Sequence, residues 1–303
     1  MNIRPVLDPR VAVALDAGRP VVALESTILT HGMPHPDNLR MARDVEAIVR
    51  EEGAVPATVA VLDGAIRVGL DDADLERLSR VEDARKLSRA DLAFAVAERL
   101  TGGTTVAATM IVARLAGIDV FATGGIGGVH AGAESSFDES ADLAELGRTD
   151  VVVVCAGAKA ILDLPKTLER LESLGVPVVG YGTDALPAFW SRDSGLAAPL
   201  RLDSPEAIAR FERTRRAIDA GVGGMLVANP VPAAAEIPAA EMAVTIGRAQ
   251  ADAAAAGVRG KDVTPFLLQR ILELTDGRSL ATNIALVEHN ARLAARIAAA
   301  LAG

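Results

Sequence analysis

A chain of 303 residues, half of them apolar, can bury a sizeable core, and none of its apolar runs is long enough to span a bilayer. A formal charge of −9 and an aromatic content of 3% exclude a nucleic-acid surface, which needs clustered Lys and Arg and stacking rings. The single cysteine excludes an internal disulfide, and with no secretory-type apolar core near the start we expect a soluble, cytoplasmic protein with no membrane partner.

A first helix ends near Gly18, and "PVVALES" follows as a short buried strand whose apolar run stops at Glu25. "TILTHGMPHPDN" reads as loop, and its prolines keep His31 and His35 off one helical face, so their spacing is not a helical zinc site. A helix runs from Asp37 to about Glu52, and "ATVAVLDGAIRVGL" then forms two strands about an Asp-Gly turn. Helices start at Asp71 and at Ser88, where "SRAD" makes a capping box.

From "TVAATMIVARLAG" onward, helices alternate with the strands "IDVFAT", "VVVVCAG" and "VPVVGY". A helix from Ser204 to Ala220, the strand "GGMLVANP" and alanine-rich helical segments complete the chain. Near-continuous apolar strands between helices predict an α/β fold: a mostly parallel sheet covered by helices on both faces, with a helical C-terminus. No repeat or linker interrupts it, so residues 1–303 read as one domain.

Parallel sheets place ligand sites at the carboxyl ends of their strands. That rule selects Glu25, Thr123 with the following "GGIGG", Lys159 and Asn229, which should converge. Lys159 stands where "AKAILDL" starts a helix; burial and a helix N-terminus both disfavour an ammonium and favour the nucleophilic amine. Glu25 either caps a turn or, with a raised pKa, keeps a proton for general-acid work. "GGIGG" is a tight turn or a set of N–H groups near an anion, and it lacks the pattern of a dinucleotide site or a P-loop.

His130 is a loop histidine or a ligand contact. Asp138 and Asp142 are helix-cap charges or ligands for a hard cation. Cys155 reads as a buried small hydrophobe, and Lys86 as a solvated charge or a phosphate contact.

The segments "ALESTILTHGMPHPDN", "KLSRADL", "TTVAATM", "ATGGIGGVH", "SSFDESADL", "VVVVCAGAKAILDLPKTLE", "NPVP", "TPFLL" and "SLATNIALVEHNA" together resemble the pseudouridine-5′-phosphate glycosidase family, also described as indigoidine synthase A-like. The likeness runs from about Pro20 to the last helix.

It implies a homotrimeric enzyme that reversibly cleaves pseudouridine 5′-phosphate to uracil and ribose 5-phosphate, with one divalent ion, usually Mn²⁺, per subunit. By motif it makes Lys159 the covalent nucleophile and Glu25 the proton donor. Substrate contacts are Lys86, Val106, Ser140, Ala141, Asp142 and Asn283, with Thr123 and His130 as further candidates, and Asp138 is the metal ligand. Ala131 departs from the basic residue that often follows the loop histidine. A sugar or nucleoside kinase and a non-catalytic metabolite-binding oligomer are the competing readings.

Overall fold

The computed structural model describes residues 3–219, 221, 223–258 and 263–303. The chain enters through β1 (Val6–Leu7) and α1 (Pro9–Asp16), whose cap Asp8 accepts from the Arg10 N–H at 2.8 Å. β2 (Val21–Leu24) follows with all four residues buried. The segment expected as loop instead winds one π-helical turn at Ile28–Gly32 before α2 (Asp37–Glu51).

β3 (Val55–Leu62) and β4 (Ala65–Val68) form the expected hairpin, pairing Leu62 with Ala65. Asp63 and Gly64 both have positive φ, 49° and 79°, the geometry a two-residue hairpin turn requires. A Cβ on Gly64 would lie 2.7 Å from Arg99 Cα, so the turn needs glycine for space as well as for φ.

Next come α3 (Asp72–Arg80), β5 (Arg85–Leu87), α4 (Arg89–Ala97), β6 (Gly102–Thr104) and α5 (Val106–Ala116). In the expected capping box, the Ser88 N–H donates to Asp91 Oδ2 at 3.0 Å. β7 (Val120–Ala122), short α6 (Ala133–Ser136) and α7 (Ala141–Leu146) lead to β8 (Val152–Cys155). Then follow α8 (Leu164–Ser173), β9 (Val178–Tyr181), β10 (Leu200–Leu202), α9 (Pro205–Ile218) and β11 (Met225–Ala228). Ala220, the expected end of α9, lies outside the described residues. The chain closes with α10 (Ala239–Ala255), α11 (Val263–Leu274) and α12 (Arg278–Ala302).

Strands β3, β2, β7, β8, β11, β9 and β10 lie side by side in that order, every neighbouring pair parallel. β4 and β6 add antiparallel to the second half of β3. α5 packs on β2, β3 and β7, while α12 packs on β2, β7 and β8 and against α2 and α9, so helices cover both faces. Among the described residues no helix is long and apolar enough to cross a membrane.

α12 is fastened to the sheet by a polar contact inside the core. Asn290, fully buried, donates to the Thr123 carbonyl at 2.8 Å and accepts from Asn229 Nδ2 at 3.0 Å. A carbonyl just past a strand end has lost its ladder partner, and a buried one must find another. Asn290→Ala strands this carbonyl and takes one of two partners from the Asn229 amide, whose Nδ2 also lies 3.1 Å from His289 Nδ1. Denaturant unfolding should show a loss of about 2–4 kcal/mol, and an unchanged midpoint would mean that solvent reaches both groups.

Candidate active site

Glu25 follows β2 and Thr123 follows β7, and the Thr123 hydroxyl donates a short hydrogen bond to the Glu25 carboxylate. Loss of hydration pushes the Glu25 carboxyl above its ordinary value of 4.5, and the negative charge of Asp142 adds to this. The Lys159 ammonium, the Thr123 hydroxyl and Lys86 act in the opposite direction.

Lys159 does not start a helix. α8 begins at Leu164, where Asp163 Oδ1 caps the Lys166 N–H at 3.1 Å. A helix from Lys159 would have carried Pro165 in its interior, where proline has no N–H to give; in the first turn that N–H is not needed. The Lys159 N–H instead donates to the Ile126 carbonyl at 3.1 Å, and Ala158 bridges Ile126, extending the β7–β8 pairing past both strands. Lys159 owes its position to this bridge, and no helix dipole acts on it.

Two hollows meet at these residues. One, about 130 Å³, is walled by Ile28, Met33, Phe189, Leu268 and Val287, with Asn283 among them. The other, about 320 Å³, draws more of its wall from polar residues, Ser88, Thr105, His130, Asp138, Ser140 and Asp142 among them. Glu25, Thr27, Lys86 and Lys159 belong to both. The carboxyl and the amine therefore stand where the apolar lobe opens into the polar one.

In the polar lobe, Val106 is the first residue of α5, and among the described residues its N–H has no partner. The next N–H, of Ala107, is taken by Asp142 Oδ1 at 3.0 Å, and Thr105 caps Ala108. Asp142 Oδ2 accepts from the Gly127 N–H at 2.8 Å, so this carboxylate ties the start of α5 to the glycine-rich loop. Gly127 is thus not open to an anion, and Gly125 serves close packing: a Cβ there would lie 2.7 Å from the Phe189 ring. Ser140 caps α7, while Ala141 is exposed and outside both walls. The His130 N–H donates to the Asp138 carbonyl at 3.0 Å. Arg89 makes a paired contact to the fully buried Glu145, joining α4 to α7.

Thr123, 1% exposed, stands behind Glu25 rather than in either wall. Asn229 does not converge on the site, because Asn290 holds it in the core. Cys155 is buried in β8 with its thiol pushed up to about 12 by loss of hydration. Asn283, on α12, has a buried Oδ1 without a hydrogen-bond partner among the described residues. Thr27, His31, Ser88 and Thr105 were not singled out as site residues; for Ser88 and Thr105 the signal was their helix-cap position, which aims two helix starts into one cavity.

Among the described residues no three His, Cys, Asp or Glu side chains gather to hold a metal by themselves. Asp142 is occupied by backbone N–H groups, whereas the Asp138 carboxylate lines the polar lobe and accepts no side-chain or backbone hydrogen bond from the described residues. One free carboxylate among hydroxyls suits a hard cation that keeps most of its water, and not a closed cage.

A family model described as "Indigoidine synthase A like protein" matches residues 10–300. The pseudouridine-5′-phosphate glycosidase of Methylobacterium nodulans is 67% identical over 301 residues, 99% of this chain and 89% of the relative. That of Mesorhizobium japonicum is 67% identical over 300 residues, 98% of each chain. Among solved structures, the prealnumycin C-glycosynthase AlnA in complex with ribulose 5-phosphate superposes with a TM-score of 0.92 at 36% identity, covering 100% of this chain and 98% of its own. An indigoidine synthase A-like protein from Thermotoga maritima gives 0.90 at 36% identity, covering 99% and 97%.

The raised pKa of Glu25 has a consequence for stability. Below 4.5 the group is protonated in both folded and unfolded chains; above it the unfolded chain ionises freely while the folded one resists, so native stability falls as pH rises through the raised value. Glu25→Gln removes that penalty and keeps the shape. The variant should melt above wild type near neutral pH, with the difference closing below 4.5, and a difference independent of pH would contradict a raised Glu25.

Proposed function

This chain belongs to the indigoidine synthase A-like family, and we propose that it reversibly cleaves the carbon–carbon glycosidic bond of pseudouridine 5′-phosphate, giving uracil and ribose 5-phosphate through a lysine–sugar imine. The observation that carries this reading is the placement of Lys159 and Glu25 at the junction of an apolar and a polar lobe. A flat base fits the first, whose wall includes Asn283 with a buried Oδ1 that has no hydrogen-bond partner among the described residues. A sugar phosphate fits the second, where Lys86 and the Val106 N–H at the start of α5 supply positive potential. The glycosidase relatives and a C-glycosynthase neighbour in complex with a pentulose phosphate support the same assignment.

A carbon–carbon bond cannot be released by protonating a heteroatom leaving group, so electrons must be pushed from the sugar side. The Lys159 amine bonds to the anomeric carbon as the ring oxygen leaves and takes a proton from Glu25. The bonded nitrogen, now an ammonium, returns a proton to the Glu25 carboxylate, and the lone pair this frees forms the C=N bond while the bond to uracil breaks. The electron pair of that bond passes to the uracil carbon, conjugated with the neighbouring carbonyl, and Glu25 protonates that carbon. Water adds to the imine, frees ribose 5-phosphate and restores the amine.

Asp138 would hold the divalent ion, Mn²⁺ in this reading, which supplies positive charge for the phosphate in an acidic protein. Asp142 orients the start of α5, so the Val106 N–H faces the same region. A homotrimeric assembly belongs to the same reading.

Borohydride added with ribose 5-phosphate should label the peptide containing Lys159. Lys159→Ala should remain folded, take no label and lose turnover on the order of 10³-fold or more. Label on another lysine would reassign the nucleophile. Asp138→Asn should raise the Mn²⁺ concentration for half-maximal activity while leaving the melting temperature of metal-free protein unchanged, and an unaltered metal requirement would place the cation elsewhere.

A further inference from the structure

Among the described residues only five side-chain N or O atoms are buried without a hydrogen-bond partner. Three are nitrogens of Arg67, Arg170 and Arg216; each guanidinium is held through another of its nitrogens, and the Arg216 Nη2 itself lies 2.9 Å from Asp119 Oδ1 as an ion pair. The remaining two, Asn283 Oδ1 and Thr27 Oγ1, belong to residues in the cleft wall.

The Thr27 hydroxyl is left over in a segment where hydroxyls are otherwise engaged. Ser26 donates to the Val59 carbonyl at 2.6 Å and accepts from the Thr104 N–H at 2.9 Å, and Thr30 donates to the Ser26 carbonyl at 3.2 Å. Thr27 has helical backbone angles, φ −61° and ψ −35°, at the start of the π-helical turn, so its side chain is not placed to cap the turn and makes no such bond. A buried hydroxyl with no partner costs free energy unless something arrives to bond it.

Thr27 lines both lobes, beside Glu25, Lys86 and Lys159. A ligand group that meets Thr27 therefore shares the cleft with Lys159 and Glu25, which in this reading act on the anomeric carbon. Two oxygens flank the anomeric carbon of a ribose: the ring oxygen, which Glu25 serves, and the hydroxyl on carbon 2. We propose that Thr27 binds the sugar 2-hydroxyl and so selects ribose 5-phosphate over its 2-deoxy counterpart, an inference that rests on reading the cleft as a sugar-phosphate site. A hydroxyl both donates and accepts, and a site built to bond one discriminates against the analogue that lacks it.

The test compares full-length wild type, Thr27→Val and Thr27→Ser. Borohydride trapping is titrated with ribose 5-phosphate and, separately, with 2-deoxyribose 5-phosphate. Because the sugars differ intrinsically in imine formation, the quantity read is the ratio of their half-saturation concentrations in each protein. From wild type to Thr27→Val that ratio should shift by about five- to tenfold against ribose, the worth of one hydrogen bond, and Thr27→Ser should restore it.

Removing an unpartnered hydroxyl breaks no internal bond, so Thr27→Val should melt no lower than wild type. A Val variant that keeps the wild-type ratio, or that weakens both sugars equally together with a lower melting temperature, overturns the proposal. Wild type that traps neither sugar removes the sugar-phosphate reading and this inference with it, a result distinct from trapping with an unaltered preference.

Discussion

The site depends on the register of three parallel strands. Leu24 pairs with Ala122, and Ala122 with Val154, so β2, β7 and β8 run out at one level. The next residues, Glu25 and Thr123, are neighbours for that reason alone, and their side chains meet. β8 carries on through the Ile126–Ala158 bridge, which brings Lys159 back over the same strand ends. A slip of one residue in any pair would turn Glu25 into the core or Thr123 away from it.

Around this register, polar contacts of long sequence separation hold the walls. Asp142 joins the start of α5 to the loop after β7, and Glu145, one helical turn further along α7, holds Arg89 at the start of α4. Both walls of the polar lobe are thus fastened to α7. α12 closes the apolar lobe and is fastened through Asn290 to the carbonyl of Thr123, the residue that bonds Glu25. Removing one partner from such buried contacts leaves the other uncompensated, so the geometry at the junction is stiffened by groups that never touch a ligand.

Much of this was legible beforehand, and for identifiable reasons. Runs such as "VVVVC" have only one good solution, a strand covered on both faces, and Asp-Gly between apolar segments specifies a two-residue turn. Glu25 and Lys159 were conspicuous because each interrupts or follows such a run with a charge. The helix expected at Lys159 was misplaced because the apolar spacing of "AKAILDL" was weighed ahead of Pro165, which confines the helix start to Leu164. Asn229 shares a strand end with the site residues, but a position along a strand does not say which neighbour claims the side chain, and Asn290 claims it.

Local pattern therefore determined the elements, the parallel sheet and the chemical character of the strand ends, since these follow from backbone geometry and burial within a few residues. Only the tertiary structure decided which polar groups are spent on the fold and which are left for a ligand. Asp142 and Asp138 sit four residues apart in one motif, yet backbone N–H groups from distant segments occupy the first and leave the second open. Thr27 and Thr30 differ in the same way, one hydroxyl bonded and one not. A hydrogen bond needs both partners within about 3 Å, and partners brought together by chain folding leave no mark in the local sequence of either.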